Sequence, residues 1–318
     1  MASTQTTKRE MKHYLPLFFI AIIFSACGPE GSTASGISKG DLKIGIDESY
    51  KLMMSSEIQV YENLYPKAHV FPMYSTEQEI FKMLLADSIQ AAVVNRPLNE
   101  EELAYFKSKG RYPESVKICT DAIALIINRS NTDSVMNVAI AEQVLGGKIT
   151  NWNQVDPKSK LGEIHVVFDR NGSSNARYVQ ERFMGGQAMP ANFFAADSTA
   201  GVIDYVTRHP EAIGIISASW ISDPEDKTCQ AYNAAVNVIG VTVDTLSRRP
   251  DIPREPYQAY IYDQSYPFCR EVYAIRTGLT GSVGTGLISH LSGEKGQLII
   301  HKMGMVTATP PTRVVRIK

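Results

Sequence analysis

Short apolar runs that alternate with stretches of helical period constrain this chain more than any other feature. Residues 42–46, 67–73, 90–94, 118–128, 212–217 and 270–276 have the length and apolar content of buried strands. Between and after them, residues 50–64, 79–86, 138–145, 201–207, 285–291 and 296–302 carry apolar positions at helical spacing. Ser75 and Gln78 look like a capping box opening one of these helices. Residues 229–263 show mixed strand character with scattered prolines. Strands alternating with helices in this way predict an α/β sandwich.

One junction raises a chemical question. In VVFDRNGSSNARYVQERFM, residues 166–184, a short strand ends at Phe168. It meets the polar loop Asn171-Gly172-Ser173-Ser174-Asn175, and a helix then begins with Tyr178, Val179, Phe183 and Met184 on one face. Ser and Asn at a helix start satisfy the free amides of its first turn. The same amides, with hydroxyls beside them, also make a seat for an anion. On these residues alone both readings stand.

The start of the chain bears on compartment. Residues 15–24 are almost purely apolar, too short to span a bilayer, and lead through Ser25-Ala26 to Cys27-Gly28, as a secretory signal does. The Ser-Ala-Cys-Gly exit resembles the bacterial lipoprotein signal, which implies lipidation at Cys27. Residues 1–27 are therefore expected to be a signal starting at Met1 or Met11. Residues 28–40, rich in Gly and Ser, are expected to be a flexible tether. The expected location is the cell envelope, on the periplasmic side, anchored by lipid.

Composition excludes several function classes. Thirty-two basic against 33 acidic residues leave a formal charge of −1, and no basic face is on offer to nucleic acid. The six histidines are scattered without helix-face pairing, so no metal is expected, and no cofactor. Cys119, Cys229 and Cys269 allow at most one internal disulfide in the mature chain. The glycine-rich segment TGLTGSVGTGLISHL lacks dinucleotide-loop spacing, because Ser289 stands where the third glycine belongs, and it is expected to be a loop. No nucleophile elbow or H-E-x-x-H helix is present, and no enzymatic activity is expected.

Six segments in chain order carry a resemblance: DAIALIINRSN (121–131), GGKITNWNQV (146–155), NGSSNARYVQERF (171–183), HPEAIGIIS (209–217), YPFCREVYAI (266–275) and SGEKGQLIIHKMGMV (292–306). Together they resemble the substrate-binding proteins of bacterial phosphate ABC transporters. The resemblance implies a type II periplasmic binding protein, with two α/β lobes, two hinge strands and a ligand cleft between the lobes. Lobe one is then 41–122 and 266–318, and lobe two 123–265. It further implies a monomer that holds a phosphate-like oxyanion and delivers it to a transporter permease. The alternative is a diverged sensor or accessory lipoprotein of an envelope complex, with another ligand or a protein partner.

Carried over residue by residue, the implied ligand-binding set is Ser49, Ser75, Thr76, Asn95, Arg96, Arg170, Asn171, Gly172, Ser173, Ser174, Asn175 and Arg177. The chain departs from the family at several of these places. Ile46-Asp47-Glu48-Ser49 stands where the family has a Gly-Ser-Thr-Thr-like loop. Asn95 replaces a ligand-accepting carboxylate, and Asp169 replaces an arginine for which Arg170 or Arg177 would have to substitute. Asp47, Glu48 and Asp169 add negative charge unless Arg96, Arg170 or Arg177 turns inward. The departures predict weak phosphate binding with poor rejection of sulfate, or preference for another small polar ligand.

Overall fold

The computed structural model describes residues 36–243 and 252–309, together with Ala2. The signal-like stretch, Cys27 and the tether up to residue 35 lie outside the described residues.

The chain runs β1 (Lys39–Asp47), α1 (Lys51–Leu64), β2 (Lys67–Ser75), α2 (Glu77–Leu85), β3 (Ala91–Val94), α3 (Glu100–Ser108) and β4 (Glu114–Asn128). It continues through β5 (Val135–Asn137), α4 (Val138–Leu145), β6 (His165–Phe168), α5 (Ser174–Met184), β7 (Phe193–Ala195), α6 (Thr199–Arg208) and β8 (Ala212–Ser217). After α7 (Ser219–Ser222), α8 (Lys227–Ala235), β9 (Val236–Val238), β10 (Gly240–Thr242) and α9 (Gln258–Tyr262) come β11 (Cys269–Arg276), α10 (Val283–Ser292), α11 (Glu294–Lys302) and β12 (Val306–Thr307).

One sheet path, β2-β1-β3-β11-β4-β8-β6-β7, holds most of the strands. β1 runs parallel to β2 and β3, and β6 runs parallel to β7 and β8. The two halves meet on β4. Its residues Glu114 to Ala122 pair antiparallel with β11, and from Ile123 onward it pairs with β8. The expected α/β class and two-lobed architecture are those of the structure. Each half has its own core: Ile123–Ile127, Val166–Phe168 and Ile213–Ile216 in one, and residues of β1, β3, β11, α1 and α10 in the other. Every residue of β3 and β8 is buried, which is why both read as unbroken apolar runs rather than alternating ones.

Local chemistry moved several expected boundaries. The cap of α2 is Thr76, whose Oγ1 accepts the Glu79 amide at 3.3 Å, so the cap falls one residue after Ser75 and the helix opens at Glu77, two residues before its expected start. Residues 227–235 form α8, capped by Asp226, where mixed strand character was expected. The glycine-rich segment is not all loop: Gly284 and Gly286 lie inside α10. A Cβ on Gly286 would stand 2.2 Å from the Ile37 carbonyl and 2.4 Å from the Tyr61 hydroxyl, so close backbone approach explains the glycine. Cys119, Cys229 and Cys269 are all free thiols, so the disulfide allowed by the cysteine count is not formed.

Candidate functional site

Two strand ends face each other where the sheet halves meet. β1 ends at Asp47, whose carboxylate accepts the Ser49 amide at 3.0 Å and turns the chain through a 3-10 turn, Glu48–Tyr50, into α1. β6 ends at Phe168, and Asp169 then locks the following loop. Asp169 Oδ1 accepts the Ser173 hydroxyl at 2.6 Å and the Asn175 side-chain Nδ2 at 3.1 Å. Ser173 in turn caps α5 by accepting the Ala176 amide at 3.1 Å. Gly172 makes this turn with φ +79°, and its carbonyl accepts the Gln78 amide from α2. Ligand crevices of parallel α/β sheets lie at the carboxyl ends of the strands, the ends at which Asp47 and Asp169 stand.

The seat at the start of α5 is taken from within. The Ser174 amide donates to Asp47 Oδ2 at 3.3 Å, so one carboxylate receives amides from both halves of the molecule. Asp47 is fully buried. An internal anion sits where a helix N-terminus would hold an external one.

Arg270 supplies the positive charge. On the hinge strands Arg270 lies opposite Asp121 in register, and its Nε and Nη2 approach Asp121 Oδ2 at 3.1 and 3.0 Å. Its Nη1 donates to the Ser174 hydroxyl at 3.2 Å. Asp121 also accepts Ser217 at 2.9 Å and the Tyr50 hydroxyl at 3.3 Å, and Asn95 donates to that hydroxyl. Burial opposes the Arg270 charge, but Tyr50, Asp121 and Asp47 together raise its pKa. Three buried carboxylates, Asp47, Asp121 and Asp169, thus surround one buried guanidinium. Burial, followed by repulsion from Asp47, pushes Asp169 up to about 7, against the hydrogen bonds from Ser173 and Asn175.

The expected site residues divide into two groups. Ser49, Asn95, Ser173, Ser174 and Asn175 are buried in or beside this network. Ser75 is half-buried at the end of β2 in register with Asp47, and Thr76 is occupied as a cap. The three arginines point elsewhere. Arg96 makes a two-pronged pair with Glu102 at 2.8 Å and lies 3.5 Å over the Phe81 ring. Arg177 is held by Glu77 and Glu181, and exposed Arg170 donates to the Asp197 carbonyl. Arg96, Gly172 and Arg177 instead border a groove of about 550 Å³ beside α2 and α5. Asn171 is exposed. Reasoning from sequence missed Arg270, Asp121, Tyr50 and Ser217. The only cue was the Arg of YPFCREVYAI on an expected hinge strand.

Within this network four buried oxygens have no partner among the described residues: Ser49 Oγ, Asn95 Oδ1, Asp169 Oδ2 and Asn175 Oδ1. Unsatisfied buried acceptors cost about 1–3 kcal/mol each. Ser49 Oγ can also donate, and Arg270 Nη2 has no hydrogen bond beyond its ion pair with Asp121, so the network suits a ligand that both donates and accepts.

A family model described as the PBP superfamily domain matches residues 31–286. The chain belongs to the PBP superfamily. Among curated members, protein SphX of Synechococcus elongatus is 25% identical over 183 residues, covering 53% of this chain and 54% of that protein. The phosphate-binding protein PstS of Staphylococcus aureus is 23% identical over 195 residues, covering 61% and 55%. The chain spans about half the length of these relatives. Two solved members share the fold. One is a candidate phosphate ABC transporter substrate-binding protein from Clostridium perfringens with bound phosphate, with a TM-score of 0.69, 22% identity and coverage of 85% and 100%. The other is an ABC-type phosphate transport receptor from Vibrio cholerae, with a TM-score of 0.60, 18% identity and coverage of 84% and 100%. The resemblance read from six ordered segments is thus to the right family. Among the described residues no helix is long and apolar enough to cross a membrane.

Proposed function

We propose that this PBP-superfamily chain is an envelope lipoprotein, anchored through Cys27, that binds a small protonated oxyanion of the phosphate type for an ABC transporter. Lobe one (41–122 and 266–318) and lobe two (123–265) close on the ligand, and the protein acts as a monomer without catalysis. The observation that carries this reading is the Asp47 carboxylate held by the amides of Ser49 and Ser174. The two strand ends are arranged to hold an anion between them, and a ligand enters by replacing the internal one.

Charge and hydrogen-bond inventory sets the selectivity. The Ser49 and Ser174 amides and Arg270 donate, whereas Asp169 Oδ2, Asn95 Oδ1 and Asn175 Oδ1 accept. Dihydrogen phosphate offers both donors and acceptors, and sulfate offers acceptors only. Above about pH 7, where Asp169 is ionised, it takes over the discrimination that Asn95 gives up, and sulfate is then rejected more firmly than Asn95 alone implies. Displacing Asp47 and adding charge beside Asp121 and Asp169 keeps phosphate binding weak. Isothermal calorimetry with phosphate and sulfate on the full chain tests this. Weak phosphate binding with no sulfate response supports the reading, and silence toward every oxyanion overturns it.

The three-to-one excess of carboxylates over guanidinium favours a second reading, an accessory envelope protein for a neutral or cationic polar ligand. Thermal stabilisation by such ligands, without any by phosphate, is its signature.

A further inference from the structure

We propose that His165, His209 and Glu211 form a binding site for a divalent transition-metal ion of the zinc class. The histidines are scattered in sequence, but the fold gathers two of them. His165 opens β6, His209 follows α6, and Glu211 precedes β8. Parallel pairing of His165 with Ala212 sets the first histidine beside the turn that carries the other two residues.

The geometry is that of a partial coordination shell. His165 Nδ1 and His209 Nδ1 face the same oxygen, Glu211 Oε1, at 3.3 and 3.2 Å. In a tetrahedral shell with metal–ligand bonds of about 2.0–2.1 Å, neighbouring donor atoms stand about 3.3 Å apart. One ligand atom from each of the three residues lies within 4.8 Å of the other two, so an ion would have to draw the two imidazoles together along the third edge. Two imidazoles and a carboxylate are a donor set suited to zinc and its neighbours, and unsuited to calcium or magnesium.

The surroundings hold these donors in place. The Glu211 carbonyl accepts the Trp152 indole at 2.8 Å and the His165 amide at 3.3 Å, which fixes the backbone of the turn. The Tyr205 ring stacks on His209 at 4.0 Å, and its hydroxyl hydrogen-bonds His165 Nδ1 at 3.1 Å, a bond that an ion taking this nitrogen would displace. The side chains of His165, His209 and Glu211 are 25%, 38% and 23% exposed, so an ion can enter without opening the core. The cluster sits at the opposite end of β6 from Asp169, and it does not share residues with the anion seat.

The test is calorimetry with zinc chloride on the full chain purified without a histidine tag. The expected result is one ion per chain. His165→Gln and His209→Gln should each weaken binding at least tenfold, and the double variant should lose it with an unchanged circular dichroism spectrum. Zinc binding by the folded double variant at the wild-type level, or no binding by the wild type at micromolar zinc, overturns the assignment. A cobalt titration of the wild type tests it without substitution. A spectrum of nitrogen and oxygen ligation supports the site, and a thiolate charge-transfer band places the ion on a cysteine and overturns it.

Discussion

Asp47 Oδ2 accepts the backbone amide of Ser174 at 3.3 Å, linking two residues 127 positions apart across the junction of the sheet halves. Neither partner is unusual alone. Together they make the end of β1 an internal ligand for the start of α5.

Asp169 should make stability fall as pH rises. Its folded pKa, about 7, lies above the 3.8 of an ordinary aspartate. The folded state therefore keeps a proton that the unfolded chain releases, and stability present below about pH 4 is lost progressively up to about pH 7. Asp169→Asn removes this loss. Urea unfolding should show the variant gaining on the wild type across that range, by at most about 4 kcal/mol above pH 7. Parallel pH profiles for the two proteins would mean that Asp169 is ionised in the fold at no cost.

Arg270→Met should be strongly destabilising, because it leaves Asp121 buried without its counter-ion. Removing one partner of a buried pair costs about 3–5 kcal/mol. The urea midpoint should drop accordingly. A double variant, Arg270→Met with Asp121→Asn, should recover part of the loss, and no recovery would show that the pair is not coupled.

Gly286→Ala should cost about 1–3 kcal/mol through overpacking, since the new methyl meets the Ile37 carbonyl and the Tyr61 hydroxyl. Gly281→Ala provides the contrast: no atom comes within 4 Å of the place its methyl would take, but its φ of +78° penalises any side chain. Thermal melts of the two variants separate steric crowding from backbone strain, and an unchanged melting temperature for Gly286→Ala would contradict the close approach.

Cys27→Ala should move the protein from the membrane fraction to the soluble one. A variant that still sediments with membranes would rule out lipid anchoring at this residue.

Much of the fold was legible in the sequence because buried strands and capped helices leave local signals. Residues 138–145 and 212–217 form their expected elements with the expected bounds. β4 extends four residues before its expected start because Glu114 to Lys117 pair with β11 without an apolar signature. α3 escaped notice because its face toward the core is slight, with Glu102 and Phe106 its buried residues, although Asn99 and Glu102 form a capping box that could have flagged it. The site was legible on one side only. The loop from Asn171 to Asn175 announces itself as a helix start, whereas Arg270 meets Asp121 only through the register of two strands 149 residues apart. The metal cluster has the same origin, since His165 reaches Glu211 only when β6 pairs with β8.

The most direct test of the internal anion is Asp47→Ser, which restores the hydroxyl that the resembling family carries at that position and vacates the amide of Ser174. Calorimetric titration of wild type and variant with phosphate at neutral pH compares them. At least tenfold tighter phosphate binding by the variant is the predicted result, and equal or weaker binding would show that the Asp47 carboxylate does not occupy the anion's place.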